Sequence, residues 1–419
     1  RSDPMRPLCW TAGLLLAFAV AVASGGLRPP LAAADDRKDD GFVPMFNGKD
    51  LTGWVNVNTA PGTFFVKDGE IVTTGKPTGF LRTAKQYENF IAEFDWKHVP
   101  PKPDAVGNSG FFVWADPLPA VGSPYTRGIE VQVLVNLEYK DKKTGAVTAT
   151  SHGDLFSIWG ARCVPDRPHP LGWERCLPSE ERAKGAGEWN HYRVEANNGV
   201  LKLAVNGKVV SGVSKCNPRK GYLALESEGS ECHFKNLKIK ELPSTNPKKD
   251  EIADEDKGFK NLYTGLDLSG WKAREDWKSR DGVLHHGGSG RALYTDKDYG
   301  DAEFIVDFRF PQKGEKSILV FRQGLRASMS ANVSVARDGT IKVSGGTDSK
   351  SADSKFKALK PAGEWNRLRA TVKGKALQVT INGKPAAELK VAGLAPRGAF
   401  GVYSGGEMDF RNLYVRELK

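Results

Sequence analysis

The amino-acid sequence predicts an all-β protein made of two tandem sandwich domains. Its 419 residues include 46 glycines and 24 prolines, and so many turn-forming residues favour numerous short strands over long helices. Short alternating segments recur roughly every 8–12 residues between Gly- and Asn-rich turns, a spacing typical of sandwiches. Several motifs also occur twice in the same order, which indicates a duplicated domain.

Individual strands can be placed from this alternation. Residues 64–72 centre on Asp68-Gly69, a pair that predicts a tight hairpin turn. Residues 90–96 alternate between large apolar side chains and polar or smaller ones, as a half-buried strand does. No helix longer than about two turns is expected, and residues 179–184 are the one segment where such a helix fits the sequence.

The duplicated motifs define the two copies. Residues 42–54 (FVPMFNGKDLTGW) and residues 259–271 (FKNLYTGLDLSGW) lie 217 positions apart. Three later pairs lie 176 positions apart: Gly-Glu-Trp-Asn at 187 and 363, Asn-Gly-Lys at 206 and 382, and Phe-Lys-Asn-Leu at 234 against Phe-Arg-Asn-Leu at 410. The change from 217 to 176 places about 41 additional residues in the first copy, between Trp96 and Gly187.

The chain is expected to begin with a segment that is removed on export. The apolar run at residues 11–23 is followed by Ala32-Ala33-Ala34, the small-residue pattern of a signal-peptidase site. An uncleaved membrane anchor is the alternative. The expected segments are a signal peptide at 1–34, a first domain at 41–243, a charged linker at 244–257 and a second domain at 258–419. Cleavage would release the chain to the periplasm or the extracellular space, with no membrane-spanning segment left.

Charge and cysteine content exclude some classes of protein. The formal net charge is +11, but Lys and Arg are scattered among Asp and Glu, so we expect no nucleic-acid partner. After export, Cys163, Cys176, Cys216 and Cys232 remain. Their spacing does not fit a zinc ribbon. An even number in an oxidising compartment predicts the disulfides Cys163–Cys176 and Cys216–Cys232, with free thiols as the alternative.

The motifs together resemble the 3-keto-disaccharide hydrolase domain family, formerly a domain of unknown function. The opening motif, Asn-Ser-Gly-Phe at 108–111, Glu-Val-Gln at 130–132, Gly-Glu-Trp-Asn, and the closing FKNLKIKEL at 234–242 carry the resemblance. It covers nearly all of residues 41–243 and, more weakly, residues 258–419, a degenerate second copy. It implies a concanavalin-like jelly roll for both copies, with a site on the concave face of one sheet.

The resemblance directs attention to several polar positions of the first copy. Glu130 and Gln132 are two residues apart on a strand, so both face one side while the apolar neighbours face the other. A solvated outer face is the alternative. Asn108 and Trp114 belong to the neighbouring motif, where Trp114 would present an aromatic surface to sugar C–H groups.

Two further sets of residues are candidates for chemistry. His152 and Asp154, within the additional segment, fit a general base pair or half of a metal site, or else a loop histidine bonded to a turn aspartate. Glu226 and Glu228 share one strand face, where mutual repulsion would raise the pKa of one carboxyl group unless a cation or donor intervenes. An edge-strand surface is the alternative for this pair.

The leading hypothesis is a sugar-active enzyme whose first domain cleaves 3-keto glycosides. A ketone at C3 acidifies the C2 hydrogen, a base such as Glu130 or His152 removes it, and the group at C1 leaves by elimination, with a donor or cation stabilising the enolate. The alternatives are a non-catalytic carbohydrate-binding protein and a structural envelope or interaction module. The sequence identifies no definite cofactor, and a divalent metal ion among His152, Asp154 and the glutamates would favour an enzyme.

The second copy is expected to lack this chemistry. Around residue 330 it has serines and small residues in place of Glu-Val-Gln, and Tyr403-Ser404-Gly405 in place of Glu226-Ser-Glu228. His285 and His286 are interpreted as surface residues without a carboxylate partner. We therefore expect any catalysis to belong to the first copy alone.

Overall fold

The computed structural model describes residues 40–272, 275–288, 290–311, 316–324, 329–345 and 352–419, and its regular elements are nearly all strands. One 3-10 turn, Lys249–Glu251, lies in the segment that joins the two sandwiches. The predicted all-β, two-sandwich jelly-roll fold is confirmed. Residues 179–184 are not helical. Within the described part of the chain, no helix is long and apolar enough to span a bilayer. The expected signal peptide lies outside the described residues.

The first sandwich contains eighteen strands. They are β1 (Val43–Pro44), β2 (Trp54–Val57), β3 (Phe64–Lys67), β4 (Glu70–Thr73), β5 (Gly79–Thr83), β6 (Phe90–Val99), β7 (Gly107–Ala115), β8 (Gly128–Val135), β9 (Glu138–Lys140), β10 (Val147–Thr150), β11 (Leu155–Ile158), β12 (Arg162–Pro165), β13 (Arg175–Cys176), β14 (Asn190–Asn197), β15 (Val200–Val205), β16 (Lys208–Asn217), β17 (Tyr222–Ser227) and β18 (Glu231–Glu241). One sheet has the order β12-β16-β15-β14-β6-β18-β4-β3, with β1 beside β18, and the facing sheet has the order β13-β11-β8-β7-β17-β5-β2. Strands β9 and β10 form a separate hairpin.

The second sandwich repeats this plan with fewer strands. They are β19 (Lys260–Asn261), β20 (Trp277–Arg280), β21 (Val283–Gly287), β22 (Leu293–Tyr299), β23 (Ala302–Arg309), β24 (Lys316–Gln323), β25 (Ala331–Ala336), β26 (Thr340–Gly345), β27 (Ala352–Lys355), β28 (Asn366–Lys373), β29 (Ala376–Ile381), β30 (Lys384–Lys390), β31 (Gly398–Ser404) and β32 (Glu407–Glu417). One sheet has the order β20-β21-β32-β23-β28-β29-β30, with β19 beside β32, and the other β22-β31-β24-β25-β26-β27.

Each sandwich encloses its own apolar core because side chains alternate along every strand. In β6, Phe90, Phe94 and Trp96 are buried between the sheets, while the intervening residues are half-buried on the outer side. The predicted hairpin at Asp68-Gly69 joins β3 to β4, and both turn residues have positive φ, at 52° and 76°. A two-residue turn of this kind matches the twist of the strands.

The duplicated motifs encode one hydrogen-bond network that appears in both copies. Asn206 lies in the turn after β15 with φ of 47°, donates from Nδ2 to Asn190 Oδ1 (3.0 Å) and accepts from the His191 backbone N–H (2.8 Å). In the second copy Asn382 makes the same two bonds to Asn366 (2.8 Å) and to the next backbone N–H (3.0 Å). These motifs therefore specify the framework of the domain and not its chemistry.

The two sandwiches share an apolar contact. The outer face of the β13-to-β2 sheet packs at one end against the outer face of β23 and β32. The buried cluster between them comprises Val57, Phe80, Phe112, Ala115, Tyr222, Ala224, Phe259, Ile305 and Tyr414. The linker follows the first sandwich, where Asp256 accepts a 2.6 Å bond from the buried Arg82 guanidinium. One end of this outer face is thereby covered and the rest is open.

The predicted disulfides are not formed, and all four thiols are free and buried. Cys216 on β16 and Cys232 on β18 are four strand positions apart in one sheet, about 19 Å, whereas a disulfide needs Cα atoms within about 7 Å. That pairing is wrong because both residues belong to one flat layer. Cys163 interacts electrostatically with both Cys176 and Cys216 without a bond. Burial raises the pKa of the Cys163 thiol to about 12, which suppresses the reactive thiolate.

The shared asparagine network gives a prediction about stability. Asn206→Ala removes the side-chain bonds and leaves alanine in a left-handed conformation, so the free energy of unfolding should fall by about 2–4 kcal/mol in urea titrations. Asn246→Ala is the matched control, because Asn246 also has positive φ (53°) but is exposed in the linker, so only about 1 kcal/mol should be lost. Equal losses in the two variants would show that the network contributes nothing.

Candidate functional site

The candidate site lies on the outer face of the sheet formed by β8, β7 and β17. On β8, Ile129, Val131 and Val133 are in the core, so the period of two turns Glu130 and Gln132 outward. In the antiparallel register Glu130 lies opposite Phe112, and Gln132 lies opposite the glycine at position 110. The structure therefore places the two predicted residues side by side on a single face.

Three carboxyl groups meet on this face around Gly110. A Cβ atom built on Gly110 would lie 2.9 Å from Glu130 Oε1 and 3.0 Å from Glu226 Oε2. Glu228, two residues further on, bridges to the same strand through Asn108. The absence of a side chain at Gly110 makes room for the carboxyl groups, a role that its place in the Asn-Ser-Gly motif did not reveal.

Burial controls the ionisation of these groups. Glu130 is 7% exposed and Glu226 is 1% exposed. Burial, followed by repulsion from Glu228, raises the pKa of Glu130 to about 8. Burial and the charge of Glu130 raise the pKa of Glu226 well above its usual range. Neither oxygen of Glu226 meets a hydrogen-bond donor, whereas a protonated Glu226 can donate to Glu228. At neutral pH the buried pair is therefore mainly protonated.

Glu228 differs because it is only half-buried and has donors. Its Oε1 accepts from the Tyr125 hydroxyl (2.5 Å) and its Oε2 accepts from Asn108 Nδ2 (2.6 Å). Burial raises the pKa of Glu228, and the bond from Tyr125 and the interaction with Glu226 oppose that rise. Tyr125 comes from the long loop between β7 and β8, and nothing in the sequence pattern identified it.

A row of polar side chains continues from Glu228 along the face. Asn108 Oδ1 accepts from Gln132 Nε2 (3.0 Å), and Gln132 Oε1 accepts from Arg175 (3.3 Å). Arg175 also forms an ion pair with the fully buried Asp154 (2.6 Å). Arg175 and Asp154 both belong to the additional segment of the first copy. The sequence analysis missed Arg175 because isolated arginines carry no motif.

Asn108, Gln132 and Arg175 from this row form the floor of an open groove of about 640 Å³. Its walls are the β9–β10 hairpin, with Tyr139, and the loop before β13, with Trp173. These two rings are 58% and 49% exposed. Trp173 is held in place by stacking on the His169 ring, with centroids 4.7 Å apart and planes at 11°. Exposed aromatic rings beside convergent polar groups are typical of pockets that bind sugars.

His152 and Asp154 do not form the predicted pair. Asp154 accepts from Thr150 Oγ1 (2.6 Å) and is paired with Arg175. His152 Nε2 lies 3.5 Å from Glu181, and its ring lines a separate pocket from the carboxyl groups. Because Gly153 between them has φ of 109°, the chain turns and the two side chains diverge. In the part of the chain that the structure describes, no three His, Cys, Asp or Glu side chains are grouped to hold a metal ion.

The expectation for Trp114 is wrong. Alternation from Phe112 would turn Trp114 to the outer face, but a bulge in β7, with Trp114 at φ of 55°, returns the ring to the core. There the indole N–H donates to the Glu88 carbonyl (2.7 Å) and the side chain is fully buried. A bulge inserts one extra residue and so reverses the facing of the next side chain. Trp173 and Tyr139, not Trp114, present aromatic surface on this side.

Among the described residues of the second copy, the carboxyl cluster has no counterpart on the equivalent strand. Strand β31 ends with Tyr403 and Ser404 where the first copy has Glu226 and its neighbours. The interpretation of His285 and His286 as unpartnered surface residues is wrong. His285 Nδ1 bonds Asp409 (2.8 Å), and the buried His286 bonds Ser404 Oγ (2.7 Å). These bonds lie within the second sandwich and hold β21, β31 and β32 together.

Comparisons with known proteins agree with this organisation. The family model of the 3-keto-alpha-glucoside-1,2-lyase-like domain matches residues 41–240 and again residues 258–416. No curated protein matches the chain. Among solved structures, a protein from Parabacteroides distasonis provisionally described as a glycosyl hydrolase is 25% identical, with 51% of this chain and 99% of that chain covered and a TM-score of 0.38.

A carbohydrate binding module, CBM66 from Bacillus subtilis, is 14% identical, with 35% of this chain and 96% of that chain covered and a TM-score of 0.32. The family match extends over most of the described residues, once in each sandwich. The chain therefore belongs to the family of 3-keto-alpha-glucoside-1,2-lyase-like domains and contains two of them in tandem.

Proposed function

We propose that the chain is an exported, sugar-active enzyme whose first domain cleaves 3-keto glycosides by elimination between C1 and C2. The observation that carries this proposal is the meeting of Glu130, Glu226 and Glu228 over Gly110, beside an open groove. One carboxyl group is half-buried and two are buried, and burial raises the pKa of all three. Groups in such different environments suit the separate roles of base and acid.

The reaction needs one base and one acid. Glu228, the most accessible carboxylate, takes the proton from C2, which the C3 ketone has acidified. The electron pair of the broken C–H bond forms the C1=C2 double bond, and the bond from C1 to the glycosidic oxygen breaks. Glu130, protonated at neutral pH because its pKa is near 8, gives its proton to the leaving oxygen. The products are a 2-hydroxy enone sugar and the released alcohol, so atoms and electrons balance.

The remaining polar row provides binding and charge stabilisation. Arg175 is a cationic group on the groove floor, where it can stabilise the oxygen of the enolate that forms when C2 loses its proton. The amide groups of Asn108 and Gln132 lie beside it and suit sugar hydroxyl groups. Tyr139 and Trp173 offer aromatic faces to the apolar side of a sugar ring.

A non-catalytic carbohydrate-binding protein is the second candidate, and the exposed Tyr139 and Trp173 rings favour it. The two functions differ in one measurement. A binding protein retains a 3-keto glucoside unchanged, whereas an enzyme releases the alcohol. The groove itself argues against a purely structural envelope module, for which a flat face would be expected.

Glu228→Gln and Glu130→Gln should each lower kcat/KM for a 3-keto glucoside by about 10² or more, because each removes a proton-transfer group. Release of the alcohol from an aryl 3-keto glucoside measures this. Glu195→Gln is the matched control, since Glu195 is exposed on the opposite sheet.

His152→Ala distinguishes between Glu228 and His152 as the base. If His152→Ala abolishes turnover while Glu228→Gln retains it, the base is His152 and the assignment to Glu228 is incorrect.

Trp173→Ala should weaken sugar binding without altering the chemical step, because the ring contacts substrate and not the reacting atoms. We expect KM to rise by about tenfold with kcat nearly unchanged, a loss of stacking of about 1–1.5 kcal/mol. Trp189→Ala, which removes a partly exposed tryptophan beside Lys97 and Lys235, is the control. An unchanged KM in Trp173→Ala would exclude the groove as the binding site.

The raised pKa of Glu130 predicts a loss of stability with rising pH. The unfolded chain ionises this carboxyl group near pH 4.5, whereas the folded chain keeps it neutral up to about pH 8. The stabilisation is therefore complete below pH 4.5 and is lost progressively up to pH 8. Glu130→Gln cannot ionise, so its free energy of unfolding relative to wild type should rise by at least about 2 kcal/mol between pH 5 and pH 8. Parallel pH profiles in urea titrations would refute the raised pKa.

A further inference from the structure

The loop between β7 and β8, residues 116–127, is bonded directly to the second sandwich. Four side chains from β23, β28 and β32 reach its backbone. The bonds are Gly122 N–H to Asp307 Oδ2 (2.8 Å), Asn412 Nδ2 to the carbonyl oxygens of Ala120 (3.1 Å) and Ser123 (2.9 Å), Arg367 to the Pro119 carbonyl (2.9 Å) and Arg411 to the Gly122 carbonyl (3.0 Å). The second sandwich thus determines the path of a loop that belongs to the first.

The fit at the centre of this loop is close. Gly122 has φ of 71°, and a Cβ atom built on it would lie 2.1 Å from Cγ of Trp365. A residue with a side chain cannot occupy this position unless the indole ring moves. The contact therefore depends on a glycine in one domain and a tryptophan in the other.

The side chains of the second sandwich that bond the loop form a buried network. Asp307 is fully buried, pairs with the Arg367 guanidinium (2.7 and 2.8 Å) and accepts from Asn412 Nδ2 (2.7 Å). A buried carboxylate that accepts two bonds from a guanidinium and a third from an amide group keeps a fixed orientation, and so do its two partners. The network can therefore hold the loop backbone in one position.

The first sandwich has the same network at corresponding positions. Asp95 accepts from His191 (2.7 Å) and Asn236 (2.6 Å), and His191 and Asn236 are 176 positions before Arg367 and Asn412. There the histidine and the asparagine are half-exposed or exposed on the outer surface of the sheet. The duplication therefore supplies an internal reference in which the network is present without a loop docked upon it.

The surroundings of the two networks differ in a way that suits docking. In the first sandwich Glu93 and Lys238 form an ion pair of 3.0 Å beside the network. The corresponding positions of the second sandwich are Ile305 and Tyr414, both in the apolar cluster between the sandwiches. Replacing an exposed ion pair with apolar side chains is favourable only where that surface is covered.

Hydrogen bonds within the loop connect Asn412 of the second sandwich to Glu228 of the candidate site. Asn412 holds the Ser123 carbonyl, Ser123 Oγ accepts from the Tyr125 backbone N–H (3.0 Å), and the Tyr125 hydroxyl donates to Glu228. We propose that the second domain is a positioning element for the site of the first, in which Asp307 and Asn412 fix the loop so that Tyr125 holds Glu228. This inference rests on the proposed function of Glu228.

The test compares equivalent asparagines in the full-length chain. Asn412→Ala should lower kcat/KM for a 3-keto glucoside at least tenfold, mainly through kcat, while Asn236→Ala changes kcat/KM less than about twofold.

The pH dependence of kcat/KM should change as well. Without the Tyr125 bond, which lowers the pKa of Glu228, the acid limb of the kcat/KM profile should move to higher pH. Glu130 and Glu226 also face Glu228, so both are left unchanged in the variants whose pH profiles are compared. Tyr125→Phe should reproduce the shift, and Asn412→Ala added to Tyr125→Phe should cause little further loss.

A second pair of variants distinguishes a positioning effect from a general loss of folded protein. Arg411→Met removes the bond to the Gly122 carbonyl and one to the Asp281 carbonyl within the second sandwich, and leaves Asp307 and Asn412 in place. Lys235→Met is its counterpart in the first sandwich, 176 positions earlier. Arg411→Met should show a smaller loss of kcat in the same direction. Additive losses from Asn412→Ala and Tyr125→Phe, or equal effects from Arg411→Met and Lys235→Met, would overturn the positioning role.

Hydrogen exchange separates this inference from the proposed function. The Gly122 amide is bonded to Asp307, so exchange in residues 116–127 should accelerate in Asn412→Ala and not in Asn236→Ala. If the wild type turns over no 3-keto glycoside, the proposed function fails while exchange still reports whether the second domain holds the loop. Unchanged exchange in folded Asn412→Ala overturns the inference, as does faster exchange with an unchanged acid limb.

Discussion

The packing of the second sandwich against one end of an outer sheet face is the constraint on which the candidate site depends. The face carries apolar residues at that end and carboxyl groups beside them. Covering the apolar end removes it from water and brings the Tyr125 loop over Glu228. Burial within the first sandwich makes ionisation of Glu130 and Glu226 costly, so the two groups keep their protons at neutral pH. The loop that contacts Glu228 is therefore also part of the packing between the two domains.

Duplication explains why one fold supports two different uses of the same surface. Both copies retain the asparagine turns, because Asn206 and Asn382 bond backbone N–H and C=O groups that every copy must satisfy. Both copies also retain an Asp-Asn network on the outer face of the corresponding sheet. The first copy has an additional segment that supplies Arg175 and the walls of the groove. The second copy has Ile305 and Tyr414 where the first has an ion pair. One copy thus carries the candidate site, and the other carries a surface that packs against the same sheet face beside it.

Much of the candidate site could be predicted because strand geometry is local. A period of two suffices to place Glu130 beside Gln132 and Glu226 beside Glu228 on single faces, once the strands are recognised. Local reasoning failed where the chain departs from that period. A bulge at Trp114 reversed the facing of its ring, and a glycine at 153 with positive φ separated His152 from Asp154. Neither feature has a signature in the order of residues alone.

The sequence by itself determined the all-β class, the duplication and the framework, since alternation, turn residues and repeated motifs act over a few neighbouring positions. Only the tertiary structure decided which groups meet. Tyr125 reaches Glu228 across 103 positions, and Asn412 reaches Ser123 across 289. Cys216 and Cys232, which were expected to form a disulfide, lie four strand positions apart in one sheet. Such contacts depend on the order of strands and the docking of whole sheets, and loop closure over these distances leaves no periodic trace in the sequence.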